Sequence, residues 1–367
     1  MKKIFYLILS LSFFNTCSFI VEDYKQSESQ RYLTVEAELS DIADKSFVNI
    51  NFSSEKTIND VVFTPVEKAK VYFIDNQGKK EQLSEISYGF YKPVASFKGE
   101  SGKNYILRIE TTEGGIYESQ PEKMLPVPAI DSVYEEFEER GNYPVGSTGR
   151  YVFNLYLDFK DSPNTDEYYQ WATTNYSQVI YCKRCYLSQW NVAAQNCEKA
   201  RFRQTTYIYG CKEKCFDINP APEIYLLSDK NVNGNSIKRQ KLGTVPLGDL
   251  TRYYVLVEQR RLTENAFIYL NVLKQQRNNG TFFDVPALTQ FSNNIKSISN
   301  PSEKVIGVWN VFSTLQKPLI IERGKIVIKE YIPQPPIVDG VYEIPPLLSF
   351  PCEESVTRTK TAPIGWK

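Results

Sequence analysis

Residues 151–159 read YVFNLYLDF, and every second side chain from Phe153 to Phe159 is apolar. Apolar side chains that recur with a period of two are typical of a β-strand with one buried face. The same alternation recurs at 33–39, 48–52, 105–109 and 253–260. The sequence therefore predicts a mainly β protein.

Short alternating segments separated by turn signals fill residues 32–121. DNQG at 75–78 and EGG at 113–115 are typical of tight turns between strands. About seven short strands in a segment of this length favour an immunoglobulin-like or a transthyretin-like β-sandwich. We predict such a domain at 32–121 and see no catalytic residue in it.

Prolines mark a boundary after this segment. Pro121, Pro126 and Pro128 exclude a central strand or a helix, so residues 122–129 are predicted to be a semi-rigid linker. Residues 130–367 then form a larger β-rich domain that contains the cysteines and ends in an extended, proline-rich tail.

The second domain is predicted to hold further strands at Tyr168–Ala172 and Tyr176–Tyr181. Residues 262–279 change to a period of three to four, which predicts an amphipathic helix that starts after Thr263 as N-cap and packs on a sheet. The acidic run at 135–139 is interpreted as a solvated strand edge.

The composition excludes many kinds of chemistry. The 367 residues include 43 Lys and Arg, 43 Asp and Glu, and no histidine. With zero net charge, the protein is not expected to have the electropositive surface that nucleic-acid-binding proteins carry. Without histidine there is no Ser-His-Asp or Cys-His arrangement, no HExxH zinc site and no imidazole base. We expect no nucleic-acid partner, no cofactor and no metal.

Residues 1–16 have the layout of a signal peptide. Two lysines precede an apolar stretch at 4–14, which is too short to span a bilayer. Cys17 follows directly, as in bacterial lipoproteins, in which the cysteine is acylated and becomes the first residue. Acyl chains on Cys17 would anchor the protein in a lipid bilayer, with residues 17–31 as a tether. Secretion without lipidation is the alternative.

Six further cysteines are present: Cys182, Cys185, Cys197, Cys211, Cys215 and Cys352. A signal peptide leads to an oxidising compartment, so we expect these cysteines to form disulfides. A zinc site of the CxxC and CxxxC type, or a redox-active CxxC, remains an alternative. The sequence does not determine the pairing.

Several blocks of sequence resemble a known family. They are PVPAID at 126–131, RLTENAF at 261–267, NGTFFDVP at 279–286 and NPSEKVIG at 300–307. Together they resemble the Bacteroidota lipoproteins labelled domain of unknown function 4249, over nearly the whole mature chain. The family commonly has a pair of cysteines near its C-terminus, whereas Cys352 stands alone here. The resemblance implies an outer-membrane lipoprotein, often encoded beside a TonB-dependent receptor, and transfers no catalytic residue.

Two short patterns near these blocks bear on modification and location. Asp131-Ser132-Val133 fits the O-glycosylation pattern of Bacteroidota, so Ser132 is a candidate acceptor, although so short a pattern also recurs by chance. Glu22 and Asp23 resemble an export signal to the cell surface but are equally typical of a solvated tether. We therefore expect the anchored protein on the cell surface or on the periplasmic face of the outer membrane.

The leading hypothesis is a non-enzymatic lipoprotein that assists a TonB-dependent transporter, by capturing an unknown ligand or covering the barrel. A stand-alone adhesion or structural module is the alternative. A glycan hydrolase could act through paired carboxylates without histidine. No such pair stands out, because Asp158, Asp161 and Asp166 are explained by a strand and a polar loop.

Overall fold

The computed structural model describes residues 31–57, 60–139, 151–163, 166–181, 189–191, 193–194, 196–199, 213–221, 223–248, 252–278, 294–326, 352 and 354–366. These residues are mainly β with one α-helix, which confirms the predicted fold class. None of the helices among them is long and apolar enough to cross a bilayer.

The described chain up to residue 139 contains ten strands: β1 (Arg31–Ser40), β2 (Phe47–Thr57), β3 (Asp60–Pro65), β4 (Lys70–Asp75), β5 (Lys80–Ser87), β6 (Phe90–Lys92), β7 (Asn104–Glu110), β8 (Ile116–Ser119), β9 (Glu122–Lys123) and β10 (Ile130–Glu138). The described remainder contains β11 (Val152–Lys160), β12 (Tyr168–Tyr181), β13 (Gln189–Asn191), β14 (Asn196–Glu198), β15 (Glu213–Pro220), β16 (Tyr225–Ser228), β17 (Ser236–Pro246), β18 (Arg252–Leu262), α1 (Glu264–Asn278), β19 (Ile295–Ser297), β20 (Val305–Glu322) and β21 (Arg358–Thr359). Two 3₁₀ turns lie at Asp229–Asn231 and Arg323–Lys325.

The predicted alternation positions the first core. Leu33, Val35, Ala37 and Leu39 on β1 are almost fully buried, while their polar neighbours on the strand face outward. The predicted turns also form, since Gly78 N–H donates to Asp75 O and Gly114 N–H to Thr111 O. Local pattern is therefore sufficient to fix these strands.

One large sheet joins the two ends of the described chain. Its strands follow the order β19-β8-β7-β4-β5-β6-β2-β1-β20-β18-β12-β15-β21. β1 pairs in parallel with β20, and Gly307 allows the close approach of the two backbones. Gly307 has a φ of +130°, and a Cβ at this position would lie 1.8 Å from Val35 O. Any side chain there would separate the two strands.

β20 belongs to two cores. Its first half contributes Val305, Trp309 and Val311 to the first core, which otherwise comes from residues 33–124, and Ile295 of β19 joins them. Its second half pairs with β18. The contiguous boundaries predicted from sequence do not include this exchange, because periodicity carries no information about pairing between distant segments.

The second core draws side chains from two sheets. Phe159 of β11, in the three-stranded sheet β10-β11-β17, packs on Tyr169 and Trp171 of β12, in the large sheet. Gln259 of β18 accepts a hydrogen bond from Trp171 Nε1 at 3.0 Å and donates to Pro128 O at 2.8 Å. Pro128, in the segment 122–129 predicted as a linker, is thus held against this core, whereas Met124 of the same segment is buried in the first core.

The structure refines three of the predictions made from the sequence. Tyr168–Ala172 and Tyr176–Tyr181 form one strand, β12, because the intervening residues keep their pairing with β18. α1 follows Thr263 as predicted and packs on the sheet, with the rings of Phe267 and Tyr168 4.8 Å apart. The Thr263 hydroxyl itself is buried without a partner and does not cap the helix. The acidic run lies on β10, an edge strand, as predicted.

Candidate functional site

The structure connects two of the six cysteines that the sequence predicted to form disulfides. Cys215 and Cys352 are disulfide-bonded, with their Cα atoms 6.0 Å apart. The bond attaches the C-terminal segment to β15, and Trp366 packs on Phe216 with ring centroids 5.0 Å apart. Cys182, Cys185 and Cys211 lie outside the described residues, as do the side chain of Cys197 and the predicted lipidation site Cys17.

The other residues that the sequence singled out do not lie together in the structure. Ser132 is half-buried on the edge strand β10. Asp158 on β11 accepts hydrogen bonds from the Tyr134 hydroxyl and the Arg239 N–H and lies 3.2 Å from Lys238 Nζ. Asp166 is exposed in the loop before β12. Of the three aspartates considered from the sequence, Asp161 is the one that enters a buried site.

Three carboxylates meet at one end of the second core, and we call Asp161, Glu167 and Asp229 the acidic cluster. Asp161 follows β11, Glu167 precedes β12, and Asp229 follows β16. They are 2%, 6% and 0% exposed, and one oxygen from each lies within 4.8 Å of the others. Among the described residues, this is the group that could hold a metal ion.

Asp161 and Glu167 have partners. The Tyr169 hydroxyl lies 2.5 Å from Asp161 Oδ1 and also contacts Glu167 Oε2. Burial, together with these two carboxylates, raises the pKa of Tyr169 far above its ordinary value, so the phenol stays neutral. Gly234 N–H donates to Asp161 Oδ2 at 2.9 Å, and Arg261 Nη2 lies 3.1 Å from Glu167 Oε1.

Asp229 differs from its neighbours because neither of its carboxylate oxygens has a hydrogen-bond partner. Its backbone N–H donates to Glu167 O, which fixes the 3₁₀ turn against the loop before β12. Asp229 and Glu167 were not among the residues predicted from the sequence. One signal could have found Asp229: residues 229–234 read DKNVNG, which matches the first six positions of the D-x-[DN]-x-[DN]-G pattern of calcium loops.

A second, partly buried network, the junction network, lies where β1, β18 and β20 meet, with Glu258 buried and Lys45 exposed at its rim. Its charged members are Glu38, Lys45, Glu258 and Arg260. Arg260 Nη2 lies 2.8 Å from Glu258 Oε2 and its Nη1 lies 3.7 Å from Glu38, while Lys45 Nζ lies 3.6 Å from Glu258 Oε1. Burial alone would raise the pKa of Glu258, but Arg260, Lys45 and a hydrogen bond from Gln316 hold it below its ordinary value.

A cleft of about 400 Å³ opens at the start of β1. Arg31 lies over the ring of Phe52 and pairs with Glu113 at 3.2 Å. The Tyr117 hydroxyl donates to Glu303 Oε1 at 2.8 Å, and burial together with Glu303 raises the pKa of Tyr117. The cleft therefore offers a mainly polar lining with one aromatic wall.

Four large apolar side chains between residues 63 and 94 are more than half exposed, and together we call them the apolar edge: Phe63, Ile86, Tyr88 and Val94. β3 and β6 lie end to end along β2, since Ile50 N–H donates to Gly89 O and Ile50 O accepts from Val66 N–H. This arrangement brings the turn after β5, which contains Tyr88 and Gly89, to the end of β3, the strand that carries Phe63.

Comparison with known proteins identifies the family of the chain. No curated protein matches the chain. A family described as a domain of unknown function, DUF4249, matches residues 21–317, from the segment before β1 into β20. The match covers more than half of the sequence, so the chain belongs to the DUF4249 family.

Proposed function

We propose that this protein is a non-enzymatic lipoprotein, anchored in the outer membrane through Cys17, that binds a TonB-dependent transporter as an accessory subunit. The observation that carries the proposal is the apolar edge. Exposed apolar patches on soluble proteins mark interaction sites, and aromatic residues are enriched at the centres of protein interfaces. Phe63 and Tyr88 are 60% and 75% exposed, so binding of a partner would bury a large apolar area of each side chain.

Chain length supports a partner within the same membrane. Residues 18–30 separate Cys17 from β1, and thirteen residues span at most about 45 Å when fully extended. β1 pairs with β2, the strand that carries β3 and β6 on its other side. A lipid anchor at Cys17 would thus hold the apolar edge close to the bilayer, where the loops of a membrane barrel emerge.

The anchor is tested by the variant Cys17→Ala in the native host. We expect the variant to leave the membrane fraction, because alanine at position 17 cannot carry the acyl chains that anchor the protein. Fractionation followed by immunoblotting measures this. Full retention of Cys17→Ala in the membrane would contradict the anchor.

The partner is tested by capturing the natively anchored protein from detergent-solubilised membranes and identifying what comes with it by mass spectrometry. We expect a stoichiometric TonB-dependent barrel. The double variant Phe63→Ser/Tyr88→Ser should reduce its recovery at least tenfold, because it removes the two aromatic anchors of the apolar edge. Val356→Ser, which changes a 91% exposed valine elsewhere, is the matched control and should leave recovery unchanged.

Two alternatives predict other outcomes. A stand-alone adhesion module would be recovered without a barrel, and its binding to surface or matrix material would depend on the same apolar edge. A glycan hydrolase would use carboxylates in a cleft, and the cleft at β1 contains Glu113 and Glu303. Both already have partners, Glu113 in Arg31 and Glu303 in Tyr117 and Ser297, which favours a binding role for this region.

A further inference from the structure

We propose that Asp161, Glu167 and Asp229 bind one calcium ion. The site lies where the chain passes between the two sheets of the second core, first from β11 to β12 and then from β16 to β17. The proposal is independent of the apolar edge and of the membrane anchor.

The unpartnered carboxylate of Asp229 points to a ligand. A buried carboxylate without a hydrogen bond or a counter-charge is strongly unfavourable, and native structures avoid it. Asp229 is fully buried, both of its oxygens lack partners, and one of them lies within 4.8 Å of oxygens of Asp161 and Glu167. A cation placed among these three oxygens would complete the coordination of Asp229.

The count of protons and charges in the cluster leads to the same conclusion. The Tyr169 hydroxyl contacts both Asp161 and Glu167 but has a single proton to donate, so it can serve only one of them at a time. Arg261 supplies one positive charge against three carboxylates. Two negative charges therefore stay uncompensated within the described residues, and a divalent cation balances them.

The ligand set favours calcium over magnesium. Calcium binds carboxylate and carbonyl oxygens at about 2.3–2.6 Å in irregular geometries, while magnesium requires about 2.0–2.1 Å and a near-regular octahedron that usually keeps several waters. A buried group of three carboxylates that meet from two separate loops fits the less demanding geometry of calcium.

The local sequence around Asp229 fits this ion. DKNVNG at 229–234 matches the first six positions of a calcium loop, and Gly234 adopts the positive φ, +70°, that such a turn requires. The pattern's final glutamate is replaced by Gln240, which lies on β17 and donates to Lys241 O. Asp161 and Glu167 supply carboxylates from another loop in its place.

The direct test measures calcium binding to the full-length protein in detergent after removal of metals with EDTA. We expect one calcium ion per chain, an increased thermal unfolding temperature, and a dissociation constant of about 10⁻⁴–10⁻³ M, as in extracellular modules. Terbium, a luminescent substitute for calcium, should be sensitised by Tyr169 and displaced by calcium. Magnesium at the same concentration should give a smaller thermal shift, and an equal shift would overturn the assignment to calcium.

Asp229→Asn separates a calcium site from a metal-free hydrogen-bond network. The amide keeps the shape of Asp229 but loses its charge, so calcium binding should weaken at least tenfold and the calcium-dependent thermal shift should disappear. Without calcium, the variant should unfold at the same temperature as the original protein or a higher one. Asp166→Asn, which removes an exposed charge from the loop that carries Asp161 and Glu167, should bind calcium normally. Failure of the original protein to bind calcium or terbium, or normal binding by Asp229→Asn, would overturn the proposal.

Discussion

Arg260 and Arg261 are neighbours on β18, and because successive side chains of a strand point to opposite faces, they serve two different buried networks. Around Arg260, two cations and two carboxylates lie together, since Lys45 and Arg260 face Glu38 and Glu258. Around Arg261, one cation faces the three carboxylates of the acidic cluster. The first network is balanced by the chain itself, whereas the second is completed by an added cation. Both networks contain buried carboxylates, but in the first the counter-charge comes from side chains of the protein and in the second it comes in part from the proposed ion.

The largest effect should come from removing the cation of the balanced network. Arg260→Met leaves Glu38 and Glu258 buried without their main partner, and loss of one member of a buried ion pair costs about 3–5 kcal/mol. Urea denaturation measures the change in the free energy of unfolding. Arg252→Met is a matched control on the same strand, since Arg252 pairs with Glu322 at the surface, where such pairs contribute about 0–1 kcal/mol. Equal losses in the two variants would contradict the role assigned to the junction network.

A smaller loss is expected from Glu258→Gln. The amide keeps the size of the side chain but loses the charge-assisted bonds to Arg260 and Lys45, and hydrogen bonds to charged groups contribute about 1.5–3 kcal/mol. The control is Glu322→Gln, at the exposed end of the same pair of strands. Asp229→Asn without calcium should show no such loss, and a loss of stability in both variants would remove the contrast between the two networks.

The pH dependence of stability gives a separate measure of the balanced network. The pKa of Glu258 in the folded protein lies below its ordinary value near 4.5, because Arg260 and Lys45 outweigh the effect of burial. Its stabilisation is therefore complete above about pH 4.5 and is lost as the pH falls through the lower folded-state pKa. Between pH 6 and pH 3, Glu258→Gln should lose less stability than the original protein. Parallel pH profiles would contradict this sign.

The two networks also show which features of the structure could be predicted from the sequence and which could not. Alternation predicted β1, β11 and β18, and the period of three to four predicted α1, because these signals are local. The parallel pairing of β1 with β20 could not be predicted, since it joins segments about 270 residues apart in the chain and depends on Gly307. Neither charged network could be predicted for the same reason: Glu38 meets Arg260, and Asp161 meets Asp229, through tertiary contacts alone. The aspartates near residue 160 were considered from sequence, but without Glu167 and Asp229 they indicated only a polar loop.

The smallest effect is expected at an exposed ion pair, which sets the baseline for both buried networks. Arg31 and Glu113 lie 3.2 Å apart, but their side chains are 49% and 63% exposed, so water and salt screen the pair. A double-mutant cycle with Arg31→Gln and Glu113→Gln should give a coupling energy of about 0–1 kcal/mol that falls further in 1 M salt. The cycle for Arg260 and Glu258 should give a larger coupling that changes little with salt, because these side chains are screened from solvent ions. If the two couplings were equal, burial of Arg260 and Glu258 would not strengthen their interaction relative to an exposed pair, which would contradict the role assigned to the junction network.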